Sequence, residues 1–381
     1  MIRICHVITR MDWGGSPDIV RLLCANLDPE RFEVTLVTGK TLDPSEKTRE
    51  FLKGFKGTVV IVPSLRRDIN PLLDLAAFVR LFLLFRKEHF DIVHTHTAKA
   101  GFLGRLAAFF AGCRRTVHTP HGHNFYGYFG PLMSRFVVLL ERLAGTCTSR
   151  FVFLTELERR DNIAFLVCNE KKAALIYSCI EPGFISRFKD KAEARRALGL
   201  GEGQIAGMIG RLETVKGPRY FVEAALTLSA RFPGARFLIV GEGSLRGELE
   251  ARIANRGLKD RFILMGWRED IPEILSALDV LVLPSLNEAF GLVLIQAQAA
   301  GVPVVASAVG GVAEAVCHRV TGILVPPADP SALAAATARL LSEPAAAVVM
   351  GQKGREWSGR FTLERMVKSH EDLYMGLMEK R

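Results

Sequence analysis

"VLVLPSLNEAFGLVLIQAQAAGVPVVA" occupies residues 280–306. Two continuously apolar runs, Val280–Leu283 and Val304–Ala306, flank a helical stretch, as expected of parallel strands buried on both faces. Strand, helix and strand in that order imply a right-handed crossover within a doubly wound sheet. The same grammar extends in both directions. Arg3–Thr9, Glu33–Thr38, Thr58–Val62, Ile92–Thr95, Thr116–His118, Phe151–Leu154 and Ala174–Tyr177 read as strands of a first half. Ile205–Ile209, Arg236–Val240, Arg261–Leu264 and Ile323–Val325 join the opening pair in a second. Proline and glycine at Glu181-Pro182-Gly183 predict a linker. The expectation is an α/β chain of two Rossmann-like domains, 1–182 and 183–362, facing an interdomain cleft. A lone amphipathic helix, 363–381, should pack back on the first domain. Function then belongs in loops that follow strands, where such sheets bind ligands.

Bulk properties agree. A chain of 381 residues suggests two domains, and a 49% hydrophobic content supplies two cores. The charged fraction of 24% argues against disorder. Net charge is +10; residues 1–185 hold 25 basic and 18 acidic side chains (25 − 18 = +7), leaving +3 for the rest. Between Lys99 and Arg160, nine basic residues face three acidic ones. That asymmetry implies a polyanionic partner or an anionic membrane surface for the first half. No recognised nucleic-acid motif supports DNA or RNA as the partner. Seven cysteines are scattered without a C-x-x-C pair, which argues against a disulfide framework or zinc site and for a reducing cytoplasm. The start "MIRICHVITR" is too short and strand-like for a signal peptide. The apolar stretch "PLLDLAAFVRLFLLF" is broken by Asp74 and Arg80 and too short to span a bilayer. A soluble protein, or one lying on a membrane, is expected.

Chemistry concentrates in six loops. "IGRLETVKG" places Arg211 and Lys216 five residues apart after a strand; such a pair suits a diphosphate, though both also read as solvated surface charges. In the opening stretch, the N–H groups of Phe290, Gly291 and Leu292 at a helix start form an anion site. Glu288 would repel a phosphate, so it suits hydrogen bonds from hydroxyls. Gln296 lies on the same helix face as Leu292, one turn deeper, where its amide suits a ribose. The bland alternative makes Glu288 a helix-start charge and Gln296 a solvated position. "VGEGSLR" offers Gly241 for a tight turn, as readily structural as ligand-binding. Gly14-Gly15 before a helix can bring backbone N–H groups to a phosphate or serve as a simple turn. "HTPHGHNFYGYFG" brings His118, His121 and His123 into one loop; it lacks acidic partners for a metal and reads better as a substrate loop. "HTHTAKAGFLGRLAA" offers His96 and Lys99 after another strand.

Together these motifs resemble glycosyltransferase family 4, retaining enzymes of the GT-B fold. "GRLETVKG", "VGEGSLR", "GWREDIPEIL", "PSLNEAFGLVLIQAQAAGVPVVAS" and "GGVAEAV…TGILVPP" carry the likeness, and their order covers essentially the whole chain. The resemblance implies that Arg211 and Lys216 hold a donor diphosphate. Glu288 would be the first glutamate of an E-x7-E motif, contacting sugar hydroxyls, and the Phe290-Gly291-Leu292 backbone would bind the distal phosphate. Trp267-Arg268 would lie at the nucleotide base, Gly14-Gly15 would close over the phosphates, and His121 would approach the sugar. Gln296 replaces the second glutamate of the motif, losing charge-assisted strength on the order of 1 kcal/mol. Cys179 stands where relatives commonly have glycine.

The implied reaction moves a hexose or N-acetylhexosamine from a nucleotide diphosphate sugar, UDP ahead of GDP, with retention of configuration. No cofactor is expected: the two cations stand in for a metal, since no convincing D-x-D pair is present. Asp12 and His121 are candidate acceptor-side bases, with Lys99 and His123 nearby. A lipid-linked saccharide acceptor at the cytoplasmic face of a membrane, in surface polysaccharide or lipopolysaccharide assembly, fits the basic first half. "MSRFVVLLERLAG" reads either as an amphipathic surface helix or as an ordinary packed one. Two other readings stay open: a GT-B sugar-nucleotide epimerase, and a non-catalytic partner that keeps the nucleotide site.

Overall fold

Among the described residues thirteen strands alternate with helices: β1 Ile2–Ile8, β2 Phe32–Thr38, β3 Thr58–Ile61, β4 Ile92–His96, β5 Thr116–Thr119, β6 Arg150–Phe153, β7 Ala173–Leu175, β8 Ile205–Ile209, β9 Arg236–Val240, β10 Phe262–Gly266, β11 Val280–Leu283, β12 Val304–Ser307 and β13 Gly322–Val325. The computed structural model describes residues 1–12, 14–42, 44–122, 125 and 130–379. Each strand expected from the sequence is present, with ends displaced by at most two residues. The central strands are buried along most of their length, as continuous apolar runs require.

The strands form two wholly parallel sheets, in the orders β3-β2-β1-β4-β5-β6-β7 and β10-β9-β8-β11-β12-β13. The chain divides into two compact units, Met1–Cys179 with Leu363–Arg381, and Ile180–Thr362. Each unit is a Rossmann-like domain with its own core.

Helices start where local chemistry satisfies their first N–H groups. Asn70 Oδ1 accepts from Leu73 N–H at 3.1 Å, and Pro71 takes the first helical position of Pro71–Glu88. Ser45, Thr155, Asp190 and Asp329 cap other helices in the same way. The last helix, Leu363–Glu379, buries Leu363, Met366, Val367, His370, Tyr374 and Leu377, a stripe of helical period, in the core of the first unit. Its placement is reinforced where Asp28 N–H donates to Glu371 Oε1 at 2.9 Å and Arg115 Nε–H donates to the Leu377 carbonyl at 2.9 Å.

Cys179 needs no glycine. Its φ is not among the positive ones, so an L side chain is unstrained, and its thiol is buried in the first unit's core. The departure at "YSCIEPG" therefore leaves the turn sound. Among the described residues no single helix is long and apolar enough to cross a membrane.

Candidate active site

In the second unit the strand order reverses between β8 and β11, neighbours whose connections leave in opposite directions. Loops leaving their carboxyl ends therefore part and open a crevice, the usual ligand position of an open α/β sheet. The loop after β8 carries Arg211 and Lys216; the loop after β11 carries Glu288 and Gly291. The two meet. Leu286 N–H donates to the Val215 carbonyl at 2.8 Å. Lys216 Nζ lies 2.5 Å from Glu288 Oε2, and Ser285 Oγ donates to the same oxygen at 3.3 Å. The loop after β12 joins them, because Gly311 N–H donates to the Glu288 backbone carbonyl at 3.1 Å. Glu288 is thus held through both its side chain and its main chain.

Four residues on, the helix Leu292–Ala299 begins. Gly291 precedes it at φ 82°, a left-handed conformation that costs a side-chain-bearing residue dearly. No side chain caps this helix; Leu294 N–H donates to the Gly291 carbonyl at 2.8 Å, while the N–H groups of Leu292 and Val293 at its start suit an anion. The Phe290 ring is not part of that capacity: it is buried against the Phe361 ring, with centroids 5.2 Å apart. Gln296 lies inside the helix, half-buried, and its side-chain amide makes no hydrogen bond among the described residues. Arg211 is exposed, and among the described residues its guanidinium has no ion-pair partner.

Other predicted donor residues have structural tasks. A Cβ on Gly241 would lie 2.0 Å from the Gly210 carbonyl, so close passage of the two loops already requires glycine there. Trp267 and Arg268 follow β10, the sheet's edge strand. Arg268 Nε donates to Asp270 Oδ1 at 2.7 Å, and this pairing holds the Asp270 carboxyl below its ordinary range.

The first unit has its own switch point, between β1 and β4. Gly14 precedes the helix Gly15–Asn26, which likewise has no side-chain cap. Asp12 is buried; its Oδ1 accepts from Leu42 N–H at 2.9 Å, and Arg10 pairs with it at 3.1 Å. The first of these bonds ties the loop after β1 to Leu42. Lys99 pairs with Asp74 at 2.7 Å, anchoring the helix Ala98–Ala111 to the start of Pro71–Glu88. His121 follows β5 at φ 58°, and Thr97 follows β4 at φ 65°, two non-glycine residues in the left-handed region at adjacent strand ends. His123 lies outside the described residues.

Sequence reasoning offered His96 as a loop residue, but it is the buried end of β4, and the cluster it forms behind His121 was missed. His6, His94 and His96, on adjacent strands β1 and β4, are fully buried, and His370 reaches them from the last helix. His6 Nδ1 lies 3.0 Å from His96 Nε2, and His96 Nδ1 lies 3.1 Å from His121 Nε2. His94 bonds Tyr374 Oη at 2.6 Å and Thr119 Oγ1 at 2.8 Å. Burial pushes His6 and His121 down to about 3 and His370 to about 4, and holds His94 and His96 well below the ordinary histidine value. All are neutral at physiological pH. The signal available in the sequence was polar residues at inward positions of otherwise apolar strands, in "ICHVI" and "IVHTH". His118, by contrast, is a core residue bonded to Thr95.

Comparison with known proteins agrees with this architecture. Residues 13–184 match the profile described as Glycosyltransferase Family 4, and residues 190–357 that described as Glycosyl transferases group 1. The chain is 30% identical to UDP-Gal:alpha-D-GlcNAc-diphosphoundecaprenol alpha-1,3-galactosyltransferase of Escherichia coli, over 99% of this chain and 97% of that protein. Among solved structures, sucrose-phosphate synthase of Thermosynechococcus elongatus superposes with a TM-score of 0.83 at 25% identity, covering all of both chains. Anabaena HepE in complex with UDP and glucose also superposes with a TM-score of 0.83, at 20% identity, over 99% of this chain and all of that one. Two parallel sheets with these switch points, joined to near-complete alignment with a transferase, show that the chain belongs to glycosyltransferase family 4 and has the GT-B fold.

Proposed function

We propose that the protein moves a hexose or N-acetylhexosamine, with retention, from a UDP-sugar to a saccharide carried on a lipid diphosphate. The observation that carries this reading is the Lys216–Glu288 pair beside an uncapped helix start. Departure of UDP concentrates negative charge on its distal phosphate while the sugar takes on oxocarbenium character. Lys216, Arg211 and the first-turn N–H groups of Leu292–Ala299 lie on two loops that touch, and they supply positive potential for the phosphate. Glu288, which the diphosphate would repel, serves the sugar hydroxyls. In the resting protein its pairing with Lys216 positions both side chains. Binding then exchanges one anionic partner of Lys216 for another. With the phosphate charge met by cations of the chain, transfer needs no metal ion.

Two features support the acceptor. The aligned Escherichia coli enzyme acts on a sugar linked to diphosphoundecaprenol. In the first unit, three neighbouring helices turn apolar side chains outward: Leu72, Leu75, Val79 and Leu83 on Pro71–Glu88, Phe109 and Phe110 on Ala98–Ala111, and Leu132, Phe136, Leu139 and Leu143 on Pro131–Thr146. Exposed Arg66, Arg67, Arg80, Arg135 and Arg142 accompany them. Outward leucines with arginines suit the cytoplasmic face of an anionic membrane, where surface polysaccharide or lipopolysaccharide intermediates reside. Purified protein given a panel of UDP- and GDP-sugars with a polyprenyl diphosphate-sugar should transfer from one UDP-sugar. Glu288→Ala should lower that rate at least about 100-fold, the scale of losing a transition-state contact. Epimerised sugar nucleotide formed without acceptor, or full activity in Glu288→Ala, would overturn the proposal.

A further inference from the structure

We infer that His6 and His96 are positioning residues that fix His121 with its proton on Nδ1, so that it presents a hydrogen-bond donor and no base. The three imidazoles form one chain: His6 Nδ1 to His96 Nε2 at 3.0 Å, then His96 Nδ1 to His121 Nε2 at 3.1 Å. A neutral imidazole has one N–H and one bare nitrogen. Keeping both bonds therefore allows two states only, with every proton pointing toward His121 or every proton pointing away from it.

The far end of the chain decides between them. His6 Nε2 is buried and has no hydrogen-bond partner among the described residues. Protons pointing away would put an N–H on that nitrogen, and orphaned buried donors are the rarer defect. Protons pointing toward His121 leave His6 Nε2 bare, and make His6 Nδ1–H donate to His96 and His96 Nδ1–H donate to His121. His121 Nε2 is then occupied as an acceptor, and its only proton lies on Nδ1. Burial keeps the chain uncharged, so no second proton blurs the choice.

A metal is a poorer account of the same residues. Ligand atoms of His6, His94 and His96 lie within 4.8 Å of one another. Both nitrogens of His94 are already engaged, by Tyr374 and Thr119, and both of His96 by His6 and His121. A divalent cation would displace those bonds and bring its charge into the interior through a trio with no carboxylate.

The inference rests on the transferase reading only for the group that receives the hydrogen bond, an oxygen of substrate sugar or phosphate. Its test is independent of turnover. Protein carrying 15N-histidine is examined near neutral pH by ring nitrogen–proton correlation, with His121→Gln identifying the His121 signals. His121 should be protonated on Nδ1 alone. In His6→Phe, which fills the space and removes the donor, His121 should become a mixture of tautomers. His6→Asn, whose amide puts an N–H where Nδ1 stood, should restore the single state. Protonation of His121 on Nε2 or on both nitrogens overturns the inference in the unaltered protein, whether or not His6→Phe folds. An unchanged His121 in folded His6→Phe, or zinc shifting the nitrogens of His6 and His96 together, also overturns it. Loss of every transferase assay would leave the tautomer result standing.

Discussion

Gln296 stands where the resemblance to the family leads one to expect a glutamate, and it carries no charge. It sits one turn inside Leu292–Ala299, half-buried, with an amide that has no other hydrogen bond to make among the described residues. Such a side chain is available for a neutral contact with a ribose hydroxyl. Gln296→Glu should tighten UDP binding by roughly 1 kcal/mol, about fivefold in dissociation constant, measured by calorimetry on the folded protein. Equal or weaker affinity would remove the ribose from this position. The residue was legible from spacing because helical period fixes which side chains share a face. Ser285 and Gly311 were not, since their bonds to Glu288 come from loops brought together only by the sheet.

At the scale of elements, the helix Pro131–Thr146 shows how an apolar sequence divides its loyalties. Ser134, Val138, Ala144 and Gly145 face inward, while Leu132, Phe136, Leu139 and Leu143 face out. Apolar residues on both sides blur the periodicity, which is why the sequence left packed and surface helix open. The helix is held by Arg105 of Ala98–Ala111, a fully buried guanidinium 2.7 Å from Glu141 Oε2 and also bonded to the Gly101 carbonyl at 2.8 Å. Glu141→Ala strands that charge and should cost about 3–5 kcal/mol, read from the urea midpoint. A loss below about 1 kcal/mol would mean that water reaches Arg105. The outer face predicts a different experiment. Leu132→Ser with Leu139→Ser should reduce binding to anionic vesicles at least tenfold while leaving the urea midpoint nearly unchanged, because both side chains are mostly exposed in the folded protein. Unchanged vesicle binding would detach this face from the membrane.

For the molecule as a whole, the histidines make the two units unequal in acid. His6, His94, His96, His118, His121 and His370 all lie in the first unit and are held below the ordinary value, chiefly by burial. The unfolded chain binds these protons near pH ~6.5 and the folded one does not. Their contribution is therefore complete above that pH and shrinks as pH falls toward about 3 to 4, by about 1.4 kcal/mol per pH unit for each histidine. Only His318 represents the type in the second unit. Hydrogen exchange at successively lower pH should show amides of β1 and β4 losing protection before those of β8 and β11. Simultaneous loss, or earlier loss in the second unit, would contradict this.

Local composition and order determined the strands, the alternation with helices, the doubly wound class and the loops where chemistry should sit, because parallel strands buried on both faces must be continuously apolar and ligands gather after them. Family likeness in the same residues pointed to Glu288, Arg211 and Lys216 as candidates. Only the tertiary structure decided which loops touch. The strand order places β8 beside β11 and β1 beside β4, and sequence adjacency says nothing of either. That order sets Lys216 against Glu288 and lines up His6 on β1, His96 on β4 and His121 in the loop after β5. Hydrogen bonds between residues 90 apart are settled by sheet register, a collective property of packing that no local pattern contains.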